Sequence, residues 1–217
     1  MGHKSPGFTL IELTLAIVIT AVMGLSVAGV TLSLSNAHEH SGNTYRSVQA
    51  GRTIMRNVGS TIREAKLVTA CNERTVVLWA NDANRNGQIN PSELLVLNYD
   101  PQLKQLQRIQ WDLSGISAAL RVAIDMPIPL YYVTNATLVK NYLINSHYTR
   151  TRLMAEDVSF ARFYVDQAAP MTRSLGLETT ITRDDQSLGF RSAVSTRAGY
   201  ESYVGVSDGD YVLMSIN

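Results

Sequence analysis

The stretch from Phe8 to Ala37, FTLIELTLAIVITAVMGLSVAGVTLSLSNA, decides the architecture of this 217-residue chain. Glu12 is the only charged side chain in it. As an α-helix, a segment of this length can cross about 30 Å of hydrocarbon. The residues before it, MGHKSPG, end in a Pro-Gly pair that stops the helix from extending backwards. The sequence therefore predicts a membrane-spanning helix over residues 8–37, preceded by a short leader, residues 1–7.

Glu12 helps to distinguish whether the apolar segment is a secretory signal peptide, an unprocessed signal anchor or a segment cleaved before Phe8. The apolar run is longer than that of a secretory signal peptide, whereas an unprocessed signal anchor fits its hydropathy. A carboxylate four residues inside a membrane helix, however, costs on the order of 1 to 3 kcal/mol unless a partner compensates it. Cleavage between Gly7 and Phe8 would place a new α-amine near Glu12, and the helix dipole favours an anion at this end.

The string GFTLIEL, residues 7–13, resembles the class III signal of type IV pilins and type II secretion pseudopilins. The resemblance implies that prepilin peptidase cuts after Gly7 and that Phe8 becomes the N-methylated first residue. It also implies that Glu12 registers an incoming subunit against its neighbour in a filament. The implied partners are other pilins or pseudopilins, prepilin peptidase, an assembly platform in the bacterial inner membrane, and the lipid bilayer. The head would then lie in the periplasm or outside the cell.

Helical periodicity continues beyond the apolar run. Apolar or small residues recur at steps of three and four, at Val48, Gly51, Met55, Val58, Ile62 and Ala65. We predict one helix from about Phe8 to about Val68, with residues 38–70 forming its amphipathic second half. The alternative is two helices with a break at Ser41-Gly42, where glycine weakens the helix.

Residues 71–217 have the pattern of a globular head rich in β-strands. The predicted strands are 74–80, 93–99, 105–111, 158–165, 173–182, 190–198 and a short one near 211–216. Between residues 113 and 152 the pattern is ambiguous: 120–124 fits a strand or a helix, 126–129 is irregular, and 137–146 has helical spacing. The predicted fold class is α+β, a long N-terminal helix packed on a head with an antiparallel sheet, as in pilins.

The order of strands after the helix also resembles the J-type minor pseudopilins and related minor pilins. The segments that carry this narrower resemblance are TIREAKLVTA, residues 61–70, and VSFARFYVDQAAPMTRSLGLETTI, residues 158–181. It implies a structural, minor subunit and no enzyme. The sequence does not distinguish a secretion pseudopilus from an adhesive or motile pilus or a DNA-uptake filament.

A twelve-residue loop, DANRNGQINPSE, residues 82–93, fits the pattern D-x-[DN]-x-[DN]-G-x5-E and resembles an EF-hand calcium loop. The pattern places oxygens around the ion, with glycine at the sharp turn and a bidentate glutamate at the end. The predicted ligands are Asp82, Asn84, Asn86, the Gln88 carbonyl, Asn90 and Glu93. Strands are expected on both sides, so the helix opening of EF-hand sensors does not carry over. The alternative is a metal-free hairpin turning at Asn86-Gly87.

Composition narrows the possible functions. The chain has 19 basic and 18 acidic residues, a formal charge of +1, so no overall positive field favours nucleic acid. Its single cysteine, Cys71, cannot form an internal disulfide. No glycine-rich phosphate loop and no carboxylate pair spaced for acid–base work are present, so neither an enzyme nor an organic cofactor is predicted. The remaining rival is an unprocessed, membrane-anchored binding module that depends on calcium.

Overall fold

The computed structural model describes residues 9–183, 186–196, 199–207 and 210–214. The predicted leader, Gly7 and Phe8 lie outside the described residues. Helix α1 runs over Leu10–Glu64 and continues through Ser41-Gly42, so the single-helix prediction is confirmed and the two-helix alternative is wrong. It contains an 18-residue window of mean hydropathy 2.3, in which no residue is buried. By length and composition this helix can cross a membrane.

The chain divides into two compact units, Met1–Arg46 and Ser47–Asn217. In the first, α1 is exposed on all sides, and its leucines, isoleucines and valines keep half or more of their surface accessible at most positions. In the second unit, the last turns of α1 are buried on one face: Ile54, Val58 and Ile62 are 1–2% exposed. The same helix therefore changes from apolar all round to amphipathic.

Five strands form the larger sheet of the second unit. They are β1 (Leu67–Cys71), β2 (Thr75–Trp79), β3 (Leu94–Asp100), β4 (Gln105–Trp111) and β5 (Thr149–Ala155). The strands follow one another in chain order, and every neighbouring pair is antiparallel. Three short helices lie between β4 and β5 in the chain: α2 (Ala118–Ile124), α3 (Leu130–Val133) and α4 (Ala136–Ile144).

A second antiparallel sheet contains three strands, β6 (Val158–Val165), β7 (Ser174–Arg183) and β8 (Gln186–Ser195). The chain then forms a hairpin of β9 (Val204–Ser207) and β10 (Asp210–Leu213). Together with α1, these sheets confirm the predicted α+β class.

Two hydrophobic clusters lie on opposite faces of the five-stranded sheet, because alternate residues of a strand point to opposite sides. Val76 and Leu78 of β2 join a cluster with α1 and the three-stranded sheet. Val77 and Trp79 join a second cluster with α3 and α4. Strands β2 and β3 are covered on both faces, which explains their nearly continuous apolar sequences.

The predicted strands 74–80, 93–99, 105–111 and 158–165 are confirmed within one residue at each end, and 173–182 is confirmed as β7. Segment 120–124 is helical, and 137–146 corresponds to α4. The predicted helix end at Val68 is wrong, because Leu67 and Val68 pair with β2 in strand β1. Strands β1, β5 and β9 were not predicted. β5 reads TRTRLMA and is an edge strand. Its side chains are mostly exposed, so its sequence lacks the alternation of buried apolar and exposed polar residues that indicates a strand.

Gly51 is required where α1 meets the smaller sheet. A Cβ atom at Gly51 would lie 2.3–2.5 Å from ring atoms of Phe190 in β8, whereas a Cβ at Gly59 would lie 3.4 Å from its nearest neighbour, Val194 Cγ2. The first distance is far below van der Waals contact, and the second is nearly an ordinary contact. The Phe190 ring thus packs directly on the helix backbone at Gly51.

We predict that Gly51→Ala lowers the free energy of unfolding by about 1–3 kcal/mol, the usual cost of overpacking. The matched change Gly59→Ala should be neutral or stabilising by up to about 1 kcal/mol, since alanine favours helix. Urea unfolding of the full chain in a zwitterionic detergent measures both. Adding Phe190→Leu to Gly51→Ala should recover part of the loss. Equal stability of the two alanine variants would contradict the assigned contact.

Candidate functional site

Thr9 and Glu12 cap the beginning of α1 with reciprocal hydrogen bonds. The backbone N–H and the hydroxyl of Thr9 both donate to Glu12 Oε2, at 2.9 and 2.8 Å, and the Glu12 N–H donates to Thr9 Oγ1 at 3.4 Å. This is a capping box, with threonine at the N-cap and glutamate three residues later. The role of Thr9 was not predicted, although the T-x-x-E pattern before an apolar run is its known signature.

The capping box leaves one carboxylate oxygen of Glu12 available. Both bonds from Thr9 go to Oε2, and among the described residues no hydrogen bond to Oε1 is present. Glu12 and Thr9 are both exposed. The geometry therefore fixes the glutamate side chain at the first turn, with one oxygen that accepts no hydrogen bond from residues 9–183, 186–196, 199–207 or 210–214. The predicted contact with the α-amine of Phe8 falls outside the described residues.

The second candidate site is the loop between β2 and β3, which ends in a single 3-10 turn at Pro91–Glu93. Asp82 is at its start, with a side chain only 9% exposed. Its Oδ1 accepts the Asn86 N–H at 3.1 Å and its Oδ2 accepts the Gly87 N–H at 3.3 Å. Gly87 has a φ of +68°, the left-handed conformation that glycine adopts without strain.

The asparagines of the loop converge on one another. Asn84 Oδ1 accepts the Asn86 N–H at 3.0 Å, and Asn86 Oδ1 accepts the Gln88 N–H at 2.8 Å. The side-chain amides of Asn84 and Asn86 both donate to Asn90 Oδ1, each at 3.1 Å. Five of the six predicted ligand residues therefore have side chains in one connected network, and Gln88 joins it through its backbone.

Glu93, the last residue of the loop, is buried, with 2% of its surface exposed. Its Oε2 accepts the indole N–H of Trp79 at 3.1 Å and the Asn90 N–H at 3.3 Å, and its Oε1 accepts the Ala83 N–H at 2.8 Å. Among the ion pairs of the described residues, none includes Glu93. A buried carboxylate is thus held by neutral donors alone, which leaves its charge uncompensated by any contacting cation.

Lys66 is a member of this site that the sequence did not predict. Its Nζ lies 3.3 Å from Asp82 Oδ2 and 4.9 Å from the centroid of the Trp79 ring. Lys66 comes sixteen residues before Asp82, just after α1, so no local pattern connects the two. The lysine occupies an oxygen that a metal ion would use and would compete with it.

The loop is also fastened to the segment that follows α2. Ser92 donates its backbone N–H to Asp125 Oδ1 at 2.9 Å and its hydroxyl to Asp125 Oδ2. The side-chain amide of Asn90 donates to the Asp125 carbonyl, and the Ile128 N–H donates to the Ile89 carbonyl. These bonds hold the end of the loop even without an ion.

The donor set of the loop suits a hard cation weakly. It offers two carboxylates, and its other oxygens are amides, which calcium accepts as ligands. Asn84 Oδ1 and Asn86 Oδ1 each accept one N–H and keep a second lone pair, whereas Asn90 Oδ1 already accepts two. Across residues 9–183, 186–196, 199–207 and 210–214, no group of three or more His, Cys, Asp or Glu side chains is assembled as a metal site.

Burial raises the pKa of the Cys71 thiol to about 12, so this cysteine stays protonated at neutral pH.

Comparison with known proteins identifies the N-terminal segment. Residues 2–28 match the family model of the prokaryotic N-terminal methylation motif, the type IV pilin signal. The match contains Gly7, Phe8 and Glu12 and extends into the apolar part of α1. No curated protein and no solved structure matches the chain. The N-terminal signal is thus of the prepilin type, and it joins a helix apolar enough for a membrane-anchored pilin.

We predict that Glu93→Gln lowers the free energy of unfolding by about 1–3 kcal/mol in the absence of calcium, because the new amide group would face the Ala83 N–H as a second donor. Denaturant unfolding followed by tryptophan fluorescence measures this. Arg85→Lys, in an exposed position of the same loop, is the matched control and should leave stability unchanged. A Glu93→Gln variant as stable as the wild type would contradict the role of the three donors.

Proposed function

We propose that this protein is a prepilin that is cleaved after Gly7 and assembled, as a structural subunit, into a type IV pilus or a type II secretion pseudopilus. The methylation motif over residues 2–28 supports the proposal most strongly, because it runs directly into the exposed apolar helix. In a filament, the apolar surface of α1 packs against the same helix of neighbouring subunits. Before assembly, lipid covers that surface.

The geometry at Glu12 supports a role in assembly. A carboxylate near the end of a membrane helix is costly unless it is compensated. Two hydrogen bonds from Thr9 to Oε2 supply part of this compensation. The free Oε1 is available to the α-amine that cleavage would create at Phe8, on the same subunit or on its neighbour. An ion pair between subunits at this position would fix their axial register.

We propose further that the subunit is a minor one, near the filament tip. The head from Ser47 to Asn217 is large and contains no disulfide, unlike the small major pilins. Residues 61–70 and 158–181, which resemble J-type minor pseudopilins, form the end of α1 with β1 and the β6–β7 hairpin. Its expected site is the bacterial inner membrane, crossed once with the head on the periplasmic side, and afterwards the filament.

The assembly proposal predicts distinct failures for two variants in cells that express prepilin peptidase and the partner subunits. Gly7→Val should block cleavage, since a bulky residue replaces the small one before the cut. Glu12→Ala should be cleaved but absent from sheared filaments, because the registering charge is lost. Glu39→Ala, which removes a carboxylate of α1 outside the apolar run, is the matched control and should assemble normally.

Immunoblotting of the sheared and cell-bound fractions measures both steps. Normal filaments from both Gly7→Val and Glu12→Ala would refute the proposed assembly. An unprocessed chain that binds a partner only with calcium would support the rival, a membrane-anchored binding module.

We also propose that the loop over residues 82–93 binds calcium and stabilises the head outside the cytoplasm. The buried charge of Glu93 and the convergence of Asp82, Asn84, Asn86 and Asn90 support this. The backbone N–H groups of residues 83, 86, 87 and 88 already bind the ligand side chains, so the loop conformation precedes the ion. With only two carboxylates and a competing Lys66, we expect a Kd of roughly 10⁻⁴ to 10⁻³ M, as in extracellular modules.

In 10 mM calcium this affinity should raise the free energy of unfolding by about 1.4 to 2.7 kcal/mol. Scanning calorimetry of the full chain in detergent, with and without calcium, measures the increment. Glu93→Gln should abolish the increment, whatever its effect on basal stability, and Arg85→Lys should keep it. No calcium-dependent rise in the wild type, or the same rise in Glu93→Gln, would remove the calcium proposal and leave the prepilin proposal intact.

A further inference from the structure

Two arginines face each other near the free edge of the five-stranded sheet. Arg108 of β4 and Arg152 of β5 are direct partners in the antiparallel register. Arg108 donates through Nε and Nη2 to Gln110 Oε1, a neutral acceptor, at 3.1 and 2.8 Å. Among the described residues, no ion pair includes Arg108 or Arg152. The next arginine along β5, Arg150, is paired with Asp112 at 3.0 Å.

This arrangement costs free energy in the isolated chain. Like charges directly opposite on neighbouring strands repel each other. Arg108 is half-buried, and burial, together with the charge of Arg152, lowers the pKa of its guanidinium. Glu64, at the end of α1, acts in the opposite direction but makes no ion pair with Arg108 in the described structure. An anion placed between the two arginines would relieve the repulsion.

The arginines line two adjoining clefts with polar walls. One, of about 330 Å³, lies between Arg108 and Arg152 on one side and Asn57, Ser60 and Thr61 of α1 on the other. The second, of about 500 Å³, continues along β5 past Arg150. The side-chain amide of Asn57 adds hydrogen-bond donors to the guanidinium groups, whereas the hydroxyls of Ser60 and Thr61 already donate to the Asn57 carbonyl. Guanidinium and amide donors together suit carboxylates.

Strand β5 is at the end of its sheet. The order of strands stops at β5, so one side of Thr149–Ala155 carries backbone N–H and C=O groups that no strand of the sheet pairs. An alternative explanation is that charged residues on an edge strand prevent aggregation and bind no partner. That explanation accounts for Arg150 and Arg152. It does not account for Arg108, which lies on the inner strand and is half-buried.

We propose that the free edge of β5 binds an extended acidic segment of a partner protein as an added strand. The segment pairs its backbone with β5 and directs the carboxylates of one face toward Arg152 and Arg150, with Arg108 directly behind Arg152 on β4. Successive side chains on one face of a strand are two residues apart, so an alternating acidic pattern matches the charged face of β5. Charge complementarity selects this occupant, because Arg108 and Arg152 make no ion pair among the described residues. The inference stands independently of the prepilin proposal.

The test uses the full chain in a zwitterionic detergent and a fluorescein-labelled peptide of alternating threonine and glutamate, with both ends blocked. Fluorescence anisotropy measures its affinity. Arg108→Gln and Arg152→Gln should each weaken binding at least tenfold, and the peptide with glutamine in place of glutamate should not bind. Arg162→Gln is the matched control, since Arg162 lies on β6 and is paired with Glu73. Amide hydrogen exchange should slow within residues 149–155 when the acidic peptide is added.

The arginine variants remove a repulsion, so their melting temperatures should equal or exceed that of the wild type. No binding of the acidic peptide would overturn the proposal. Equal affinity of the wild type and the Arg108→Gln and Arg152→Gln variants would also overturn it. Binding without slower exchange in β5 would exclude strand addition and thus the proposed mode.

Discussion

The apolar surface of α1 must be covered, and this requirement governs the rest of the structure. The hydropathic window of the helix is entirely exposed in the single chain. Exposed apolar area of this extent marks a surface that lipid or another protein covers. In the proposed prepilin, a bilayer covers it before assembly, and the helices of neighbouring subunits cover it in the filament. Glu12 is the only charged side chain of residues 8–37, and the capping box at the first turn of the helix holds its carboxylate.

The same helix then takes part in the core of the head. From Ser47 onward its apolar face contacts both sheets through Ile54, Val58 and Ile62, and Gly51 admits the ring of Phe190. Burial of these side chains stabilises the head by about 1.5–3 kcal/mol each. One continuous helix thus extends from the apolar segment into the core of the head.

Much of this was predictable from the sequence because the deciding patterns are local. The apolar run and the twelve-residue loop are each recognised within a few residues of chain; the T-x-x-E start is equally local, although the role of Thr9 was not predicted. Strands β2 and β3 were recognised because their side chains are mostly β-branched or apolar, and β4 because apolar and polar residues alternate in QLQRIQW. The end of α1 was misplaced, since Leu67 and Val68 fit a helix or a strand equally and only pairing with β2 decides between them.

Contacts between distant segments could not be predicted. Lys66 meets Asp82 only because β1 brings the end of α1 beside the loop, and Arg108 meets Arg152 only through the register of β4 and β5. Strand β5 lacks a buried face that would have revealed it. The structure therefore adds most at two long-range contacts, that of Lys66 with Asp82 and that of Arg108 with Arg152.

The central claim is that Phe8 becomes the first residue of the mature protein. Intact-mass measurement of the chain from cells with and without prepilin peptidase tests it most directly. We predict that the peptidase removes residues 1–7 and that the mature chain begins at a methylated Phe8. A chain that keeps residues 1–7 when the peptidase is present, or one cut at another position, would contradict the account.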